Sequence, residues 1–294
     1  MRVMRLRTAK LVCALVFAVV TTTAASTAAP VNSLTGSISY GSFTSKALRG
    51  TMHYSVYLPA GYTTSKRYPV IYFLHGLPAT ADAYRAIGPI AKAVEQSGYQ
   101  AIVVGVQGAR AGDADPEWRN WGTGRNWETA TAKELVSVID TRYSTIGDRS
   151  GRVLVGISAG GYGATLIALH NPGVYAAVES WSGYFHATNE AGTAALDLGS
   201  DAVNAWANAH RQISNVRRLL SYSLPRTYFA FYVGSSDSRF RAENVEFYNE
   251  LRSAGISRIV FRIYPGAHDW TLWSAHGTSW IRNALIVAAK PARA

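Results

Sequence analysis

Three side chains far apart in the sequence could form one proton relay: Ser158, Asp237 and His268. A serine hydroxyl attacks a carbonyl only when its oxygen is exposed, a base takes its proton, and nearby amides receive the charge that develops on the oxygen. Ser158 is the centre of Gly156-Ile157-Ser158-Ala159-Gly160, with the apolar run Val153 to Val155 before it and a small-residue helical pattern after it. A serine on a sharp strand-to-helix turn is the placement such chemistry needs, and the two glycines make the turn sterically feasible.

In this arrangement the acid and then the histidine come later in the chain than the serine. His268 lies in Pro265-Gly266-Ala267-His268-Asp269-Trp270, between the last apolar run and the last helical pattern, where a loop can deliver an imidazole to Ser158. His276 is its rival but falls within the helical pattern. Asp237 ends Tyr232-Val233-Gly234-Ser235-Ser236-Asp237, a strand followed by a polar turn, and suits an acid that orients the imidazole and favours its charged form. Aspartate is also common in turns for purely structural reasons, and Glu243 is the alternative acid. For the oxyanion, the amides of Leu77, after His75-Gly76, and of Ala159 are the expected donors, because Pro78 has no N–H. His75 reads as a structural residue that holds this loop.

Apolar runs of strand length recur at Met52–Tyr57, Val70–Leu74, Ala101–Val106, Arg152–Ile157, Ala176–Trp181, Tyr228–Val233 and Ile259–Tyr264. Between them lie helical patterns at Ala81–Gln96, Glu128–Tyr143, Ser158–Asn171 and Arg239–Ala254, with Ser274–Ala289 after the last strand. Such alternation predicts an α/β fold of the α/β-hydrolase type, a mostly parallel central sheet with helices on both faces and room for an antiparallel hairpin at its start. Functional groups in such a sheet belong at the carboxyl ends of the strands, in loops beginning at His75, Gln107, Ser158, Ser182, Gly234 and Pro265. The segment Asn189–Ser223 reads as a short flap over the site.

Arg2, Arg5, Arg7 and Lys10 precede an apolar run, Leu11 to Val20, and a small-residue stretch to Ala29, which together read as a secretory signal. The apolar run is too short to span a bilayer, which takes about 20 residues. The expectation is therefore a secreted protein: residues 1–29 as signal and 30–294 as one catalytic domain, with no stable membrane insertion once the signal is gone. The single cysteine, Cys13, lies inside the signal, so stability must come from packing. The net charge of +11 falls to +7 without the four basic residues of the signal. The remaining basic residues are scattered among acids, which argues against nucleic acid as a partner. Nothing in the sequence fixes an oligomeric state.

Trp118, Trp121 and Trp127 sit in a glycine-rich stretch, and the first two are expected to stack on a sugar or an aromatic acyl group. Tyr162, in the serine motif, and His186, after Ser182-Gly183, are expected at the same wall. Asp113 and Asp115 are two carboxylates without further ligand spacing, so no metal and no cofactor is expected.

Taken together, His75-Gly76, the run Trp127-Glu128-Thr129 leading to Glu134-Leu135 and Ile139-Asp140, Gly156 to Ala164, Ser182-Gly183, and Gly266-Ala267-His268-Asp269-Trp270 with Trp273 resemble the esterase D-like α/β-hydrolases. That group includes feruloyl and acetylxylan esterases, formylglutathione hydrolases and mycobacterial mycolyltransferases, and the resemblance covers nearly all of residues 35–289. It implies acyl transfer through Ser158 and His268, with the Leu77 and Ala159 amides as oxyanion donors. Asp237 matches the feruloyl-esterase-like members, whereas the mycolyltransferases take a glutamate, which would favour Glu243 or Glu246, and carry a cysteine pair that this chain lacks. The expectation is a serine esterase acting on a small-molecule or polysaccharide-linked ester. An envelope acyltransferase and a non-catalytic glycan- or matrix-binding protein on the same fold are the alternatives.

Overall fold

A computed structural model describes residues 33–113, 116–185 and 226–288. The signal-like segment, Asp115, His186 and the expected flap Asn189–Ser223 lie outside them. Eight strands form one sheet: β1 Ser37–Ser45, β2 Gly50–Leu58, β3 Val70–Leu74, β4 Ile102–Val106, β5 Arg152–Ile157, β6 Ala177–Trp181, β7 Tyr228–Gly234 and β8 Ile259–Tyr264, in the order β1-β2-β4-β3-β5-β6-β7-β8. The β1–β2 and β2–β4 pairings are antiparallel and all the others are parallel. Every residue of β3, β4 and β6 is buried, as expected of parallel strands covered on both faces.

The pleat divides the core in two. On one face Tyr72, Leu74 and Leu154 pack with Trp127, Leu166, Ile167 and Phe231. On the other, Ile71, Phe73, Val153 and Val155 meet Ile90, Val94, Trp280 and Ile281. The first face carries α2 (Trp127–Thr129), α3 (Val136–Arg142) and α4 (Ala159–His170), with α5 (Arg241–Ser253) near the β8 edge; α1 (Gly88–Ser97) and α6 (Trp270–Val287) pair on the second. The mostly parallel sheet with helices on both faces is thus the expected one.

The helices differ from the sequence expectation in three places, two of them for a local reason. The pattern from Ala81 yields only a 3₁₀ turn at Ala83–Arg85, and α1 starts at Gly88 because Pro89, which lacks an N–H, is suited to a first turn and not to a helix interior. The expected helix Glu128–Tyr143 contains a π segment, Ala130–Leu135, between α2 and α3. The last helix begins four residues before Ser274, because the Asp269 carboxylate accepts the amide of Leu272 at 3.1 Å and caps it. Strand β1 escaped the apolar-run criterion altogether. Its sequence SISYGSFTS is largely exposed, and it pairs with β2 in the antiparallel hairpin that the start of the chain allowed for.

Candidate active site

Strand β5 ends at Ile157 and α4 begins at Ala159, so Ser158 alone makes the turn, with φ 55° and ψ −121°. A non-glycine residue in this region is strained, and the strain persists only where its surroundings enforce it. They do so here through close backbone approaches. A Cβ on Gly156 would lie 1.9 Å from the Gly160 carbonyl oxygen, and one on Gly160 would lie 2.0 Å from that of Leu74. The amide of Ser158 donates to the Trp181 carbonyl at 2.9 Å, tying the turn to the end of β6. The loop after β3 closes from above, where a Cβ on Gly76 would come within 3.0 Å of the Ser158 Cβ.

The loops after β7 and β8 bring the other two groups to this turn. His268 Nε2 lies 3.0 Å from Ser158 Oγ, and His268 Nδ1 lies 2.8 Å from Asp237 Oδ2. An ionised carboxylate only accepts, so Nδ1 carries the ring proton toward Asp237 and Nε2 is left to accept from the serine hydroxyl. The Asp237 side chain is 1% exposed and that of His268 29%, so the acid is sealed in while the base meets the cavity. The second oxygen of Asp237 accepts the amide of Phe240 at 3.1 Å. Phe240 and Trp273 approach the imidazole edge-on, with ring centroids 5.0 and 5.3 Å away. Trp273 is fixed in turn by its indole N–H, which donates to Ser182 Oγ at 3.1 Å. Such a relay can withdraw the serine proton and return it to a leaving group.

The alternatives are placed elsewhere. Glu243 accepts the amide of Phe185 at 2.7 Å. His276 lies on α6 against Tyr264, with centroids 4.1 Å apart. His53 stacks on Tyr84, and His170 Nδ1 lies 2.9 Å from Glu128 Oε2. His75 is buried, its Nδ1 2.9 Å from the Gly76 carbonyl and its ring beside Trp118, consistent with a part in holding the loop.

Ser158 and His268 open into a cavity of about 280 Å³, whose wall includes Phe73, Leu77, Ile157, Trp270 and Trp273. Leu77 is therefore beside the serine. Ala159 is the first residue of α4, where an amide has no acceptor within its own helix. Trp270 and Trp273 were not among the residues expected to meet a ligand, although their i, i+3 spacing directly after His268 carries the signal.

Two of the expected ligand-facing rings are corrected. Trp118 is 3% exposed and fills the notch left by two glycines: a Cβ on Gly163 would lie 2.4 Å from its ring, and one on Gly108 2.7 Å. Tyr162 is buried against Tyr184, the rings 5.7 Å apart and nearly parallel, and burial raises its hydroxyl pKa above the usual tyrosine range. Trp121 is half-buried, with its indole N–H donating to the Pro116 carbonyl at 2.6 Å and Arg119 against its ring. Asp113 is engaged by Arg110, with contacts from the backbone amide at 2.9 Å and from Nε at 3.2 Å. Among the described residues no group of three or more histidine, cysteine or acidic side chains converges as a metal site would.

A mostly parallel sheet, a strained serine after its central strand, and an imidazole delivered by the last loop define the α/β-hydrolase class. The chain belongs to the family described as "Putative esterase", which matches residues 45–276. "Esterase Rv1288" of Mycobacterium tuberculosis is 28% identical over 252 residues, 78% of this chain and 55% of that protein, so the chain spans about half the length of the curated relatives it matches. Among solved structures, a ferulic acid esterase superposes with a TM-score of 0.68 at 22% identity, covering 86% of this chain and 98% of that one. The S-formylglutathione hydrolase of Staphylococcus aureus superposes with 0.66 at 17% identity, covering 84% and 99%. The esterase D-like resemblance drawn from the sequence holds.

Proposed function

We propose that the chain is an exported serine esterase that cleaves carboxylic esters through an acyl-enzyme on Ser158. The observation that carries this reading is the unbroken relay from buried Asp237 through His268 to a serine on a strained turn. Membership of an esterase family supports the reaction type. Ser158 Oγ adds to the ester carbonyl as its proton passes to His268 Nε2, and the imidazolium then hands that proton to the departing alcohol. Water repeats the sequence and frees the acid. The amides of Leu77 and Ala159 stabilise the oxyanion, each donor of this kind lowering the barrier by about 3 kcal/mol. Asp237, and not Glu243, is the acid in this reading, because it accepts from the imidazole. The cavity of about 280 Å³ suits modest acyl groups. The basic and then apolar run of residues 2–20 supports export.

Turnover of p-nitrophenyl acetate tests the proposal. Ser158→Ala should keep the native circular dichroism and lose at least about 10⁴-fold in kcat/KM, and Asp237→Asn should lose about 10³- to 10⁴-fold. Unchanged turnover in the serine variant would exclude this mechanism. With a sugar alcohol present, free acid should remain the main product, whereas acylated sugar would reassign the chain as an acyltransferase.

A further inference from the structure

A second depression, about 240 Å³, opens between α1 and α6 next to the reaction cavity. Trp270 and Trp273 stand in the walls of both. Trp181 forms its inner wall, and its ring comes so near α6 that a Cβ on Gly277 would lie 3.2 Å from it. Trp270, 43% exposed, is the indole a ligand can stack on, whereas Trp273 and Trp181, 7% and 1% exposed, are buried behind it. Polar groups from both helices join the lining: Lys92 and Gln96 from α1, Ser274 and Thr278 from α6. Thr278 Oγ1 donates to Gln96 Oε1 at 2.9 Å, which orients the amide and leaves its two N–H donors available.

The lining chooses among occupants. An alkyl chain would cover Gln96, Ser274 and Thr278 without replacing their bonds to water, an unfavourable exchange. An inorganic anion would make no use of the exposed Trp270 ring. A pyranose ring suits both parts, its C–H face against indole and its hydroxyls toward amide and hydroxyl groups. The position chooses which half of the ester it belongs to. His268 returns its proton to the leaving oxygen, so the alcohol departs past His268, and the ring beside His268 on this path is Trp273, shared by both cavities.

We propose that the cleft between α1 and α6 holds a sugar ring of the alcohol half of the substrate, an inference that rests on the esterase reading above. Acetyl esters that differ only in their alcohol test it: p-nitrophenyl acetate, octyl acetate and 6-O-acetylglucose. Ser274 is exposed and lines the cleft but not the reaction cavity, so Ser274→Phe fills the cleft alone. This variant should lose about tenfold in kcat/KM on 6-O-acetylglucose and stay within about twofold on the other two esters. Equal loss on all three, no loss on the sugar ester, or loss confined to octyl acetate would overturn the proposal. Should Ser158→Ala leave turnover intact, the esterase reading falls separately. The cleft is then judged by whether methyl β-glucoside quenches the indole fluorescence of the Ser158→Ala protein: quenching abolished by adding Ser274→Phe keeps the sugar site, and no quenching removes it.

Discussion

Both faces of the sheet are rich in aromatic rings near Ser158, yet one face is filled and the other is hollowed. On the α4 face Trp118, Tyr162, Tyr184 and Phe185 pack into the core, and the gap bounded by Tyr162, Leu166, Phe185 and Phe247 has no room for a water molecule. On the α1–α6 face Trp270 and Trp273 border two cavities, with Trp181 buried behind one of them. Ring type does not distinguish them. The difference lies in what each ring meets: α4 is buried along all but its last residue, and Gly163, together with Gly108 after β4, leaves a notch that accepts Trp118. Trp270 stands on the first turn of an amphipathic helix and is 43% exposed. A tryptophan plugs a core where neighbouring glycines make a socket, and lines a pocket where it projects from the rim of a helix.

Truncation separates the two faces most sharply. Trp118→Ala should cost about 3–5 kcal/mol in denaturant unfolding, because it leaves a cavity among rings that cannot collapse into it. A loss below about 1 kcal/mol would mean that the α4 face is as loose as the other. A smaller effect is expected from Glu179, which is fully buried in β6 on the α1–α6 face and accepts the Trp181 indole N–H at 3.0 Å. Burial pushes its carboxyl up from 4.5 to about 8, with the Trp181 hydrogen bond opposing the shift. The native state therefore holds a proton that the unfolded chain releases above its own lower pKa, so stability should fall as pH climbs from about 4.5 to 8 and level off above that. Glu179→Gln should flatten this slope and exceed the wild type by roughly 3 kcal/mol at pH 9, as read from unfolding midpoints across pH. A variant that tracks the wild-type slope would place the titration elsewhere.

Gly163→Ala comes next, at about 1–3 kcal/mol, since its methyl must displace the Trp118 ring; a neutral result would show that the socket can yield. Trp270→Ala should be mildest for the fold, below about 1 kcal/mol. Its effect should appear instead in ester turnover, and a large loss of stability without a loss of turnover would erase the contrast between the faces.

The strands β3 and β5 were legible to the residue, because a strand buried on both faces is apolar along nearly its whole length. The edge strand β8 was equally legible although much of it is half-buried or exposed, because Ile259, Val260, Phe261, Ile263 and Tyr264 keep the β-branched and aromatic character of a strand. That Ser158, Asp237 and His268 would lie at one end of the sheet was legible for a related reason: in parallel strands alternating with helices, the loops that leave the strands share the carboxyl end of the sheet. Strand β1 was hidden because an exposed edge strand can be written in serine and threonine. The aromatic wall was misassigned to Trp118 and Tyr162 because the sockets that bury them are made by Gly108 and Gly163, whose role depends on tertiary approach rather than local pattern. Trp181 was equally opaque. It reads as the end of a buried strand, and only the register that sets it beside Ile157 brings it near Ser158.

Asp269 caps the last helix with its side chain and stands between His268 and Trp270 in the sequence. One fixed turn thus aims the His268 imidazole and a wall of the neighbouring cleft together. Inserting or deleting a residue there would rotate the helix start by about 100° and misdirect both at once. Under the proposed reading, a change of alcohol preference should therefore be sought in the facing helix, at positions such as Lys92 and Gln96, where a side chain can change without disturbing the contact between His268 and Ser158.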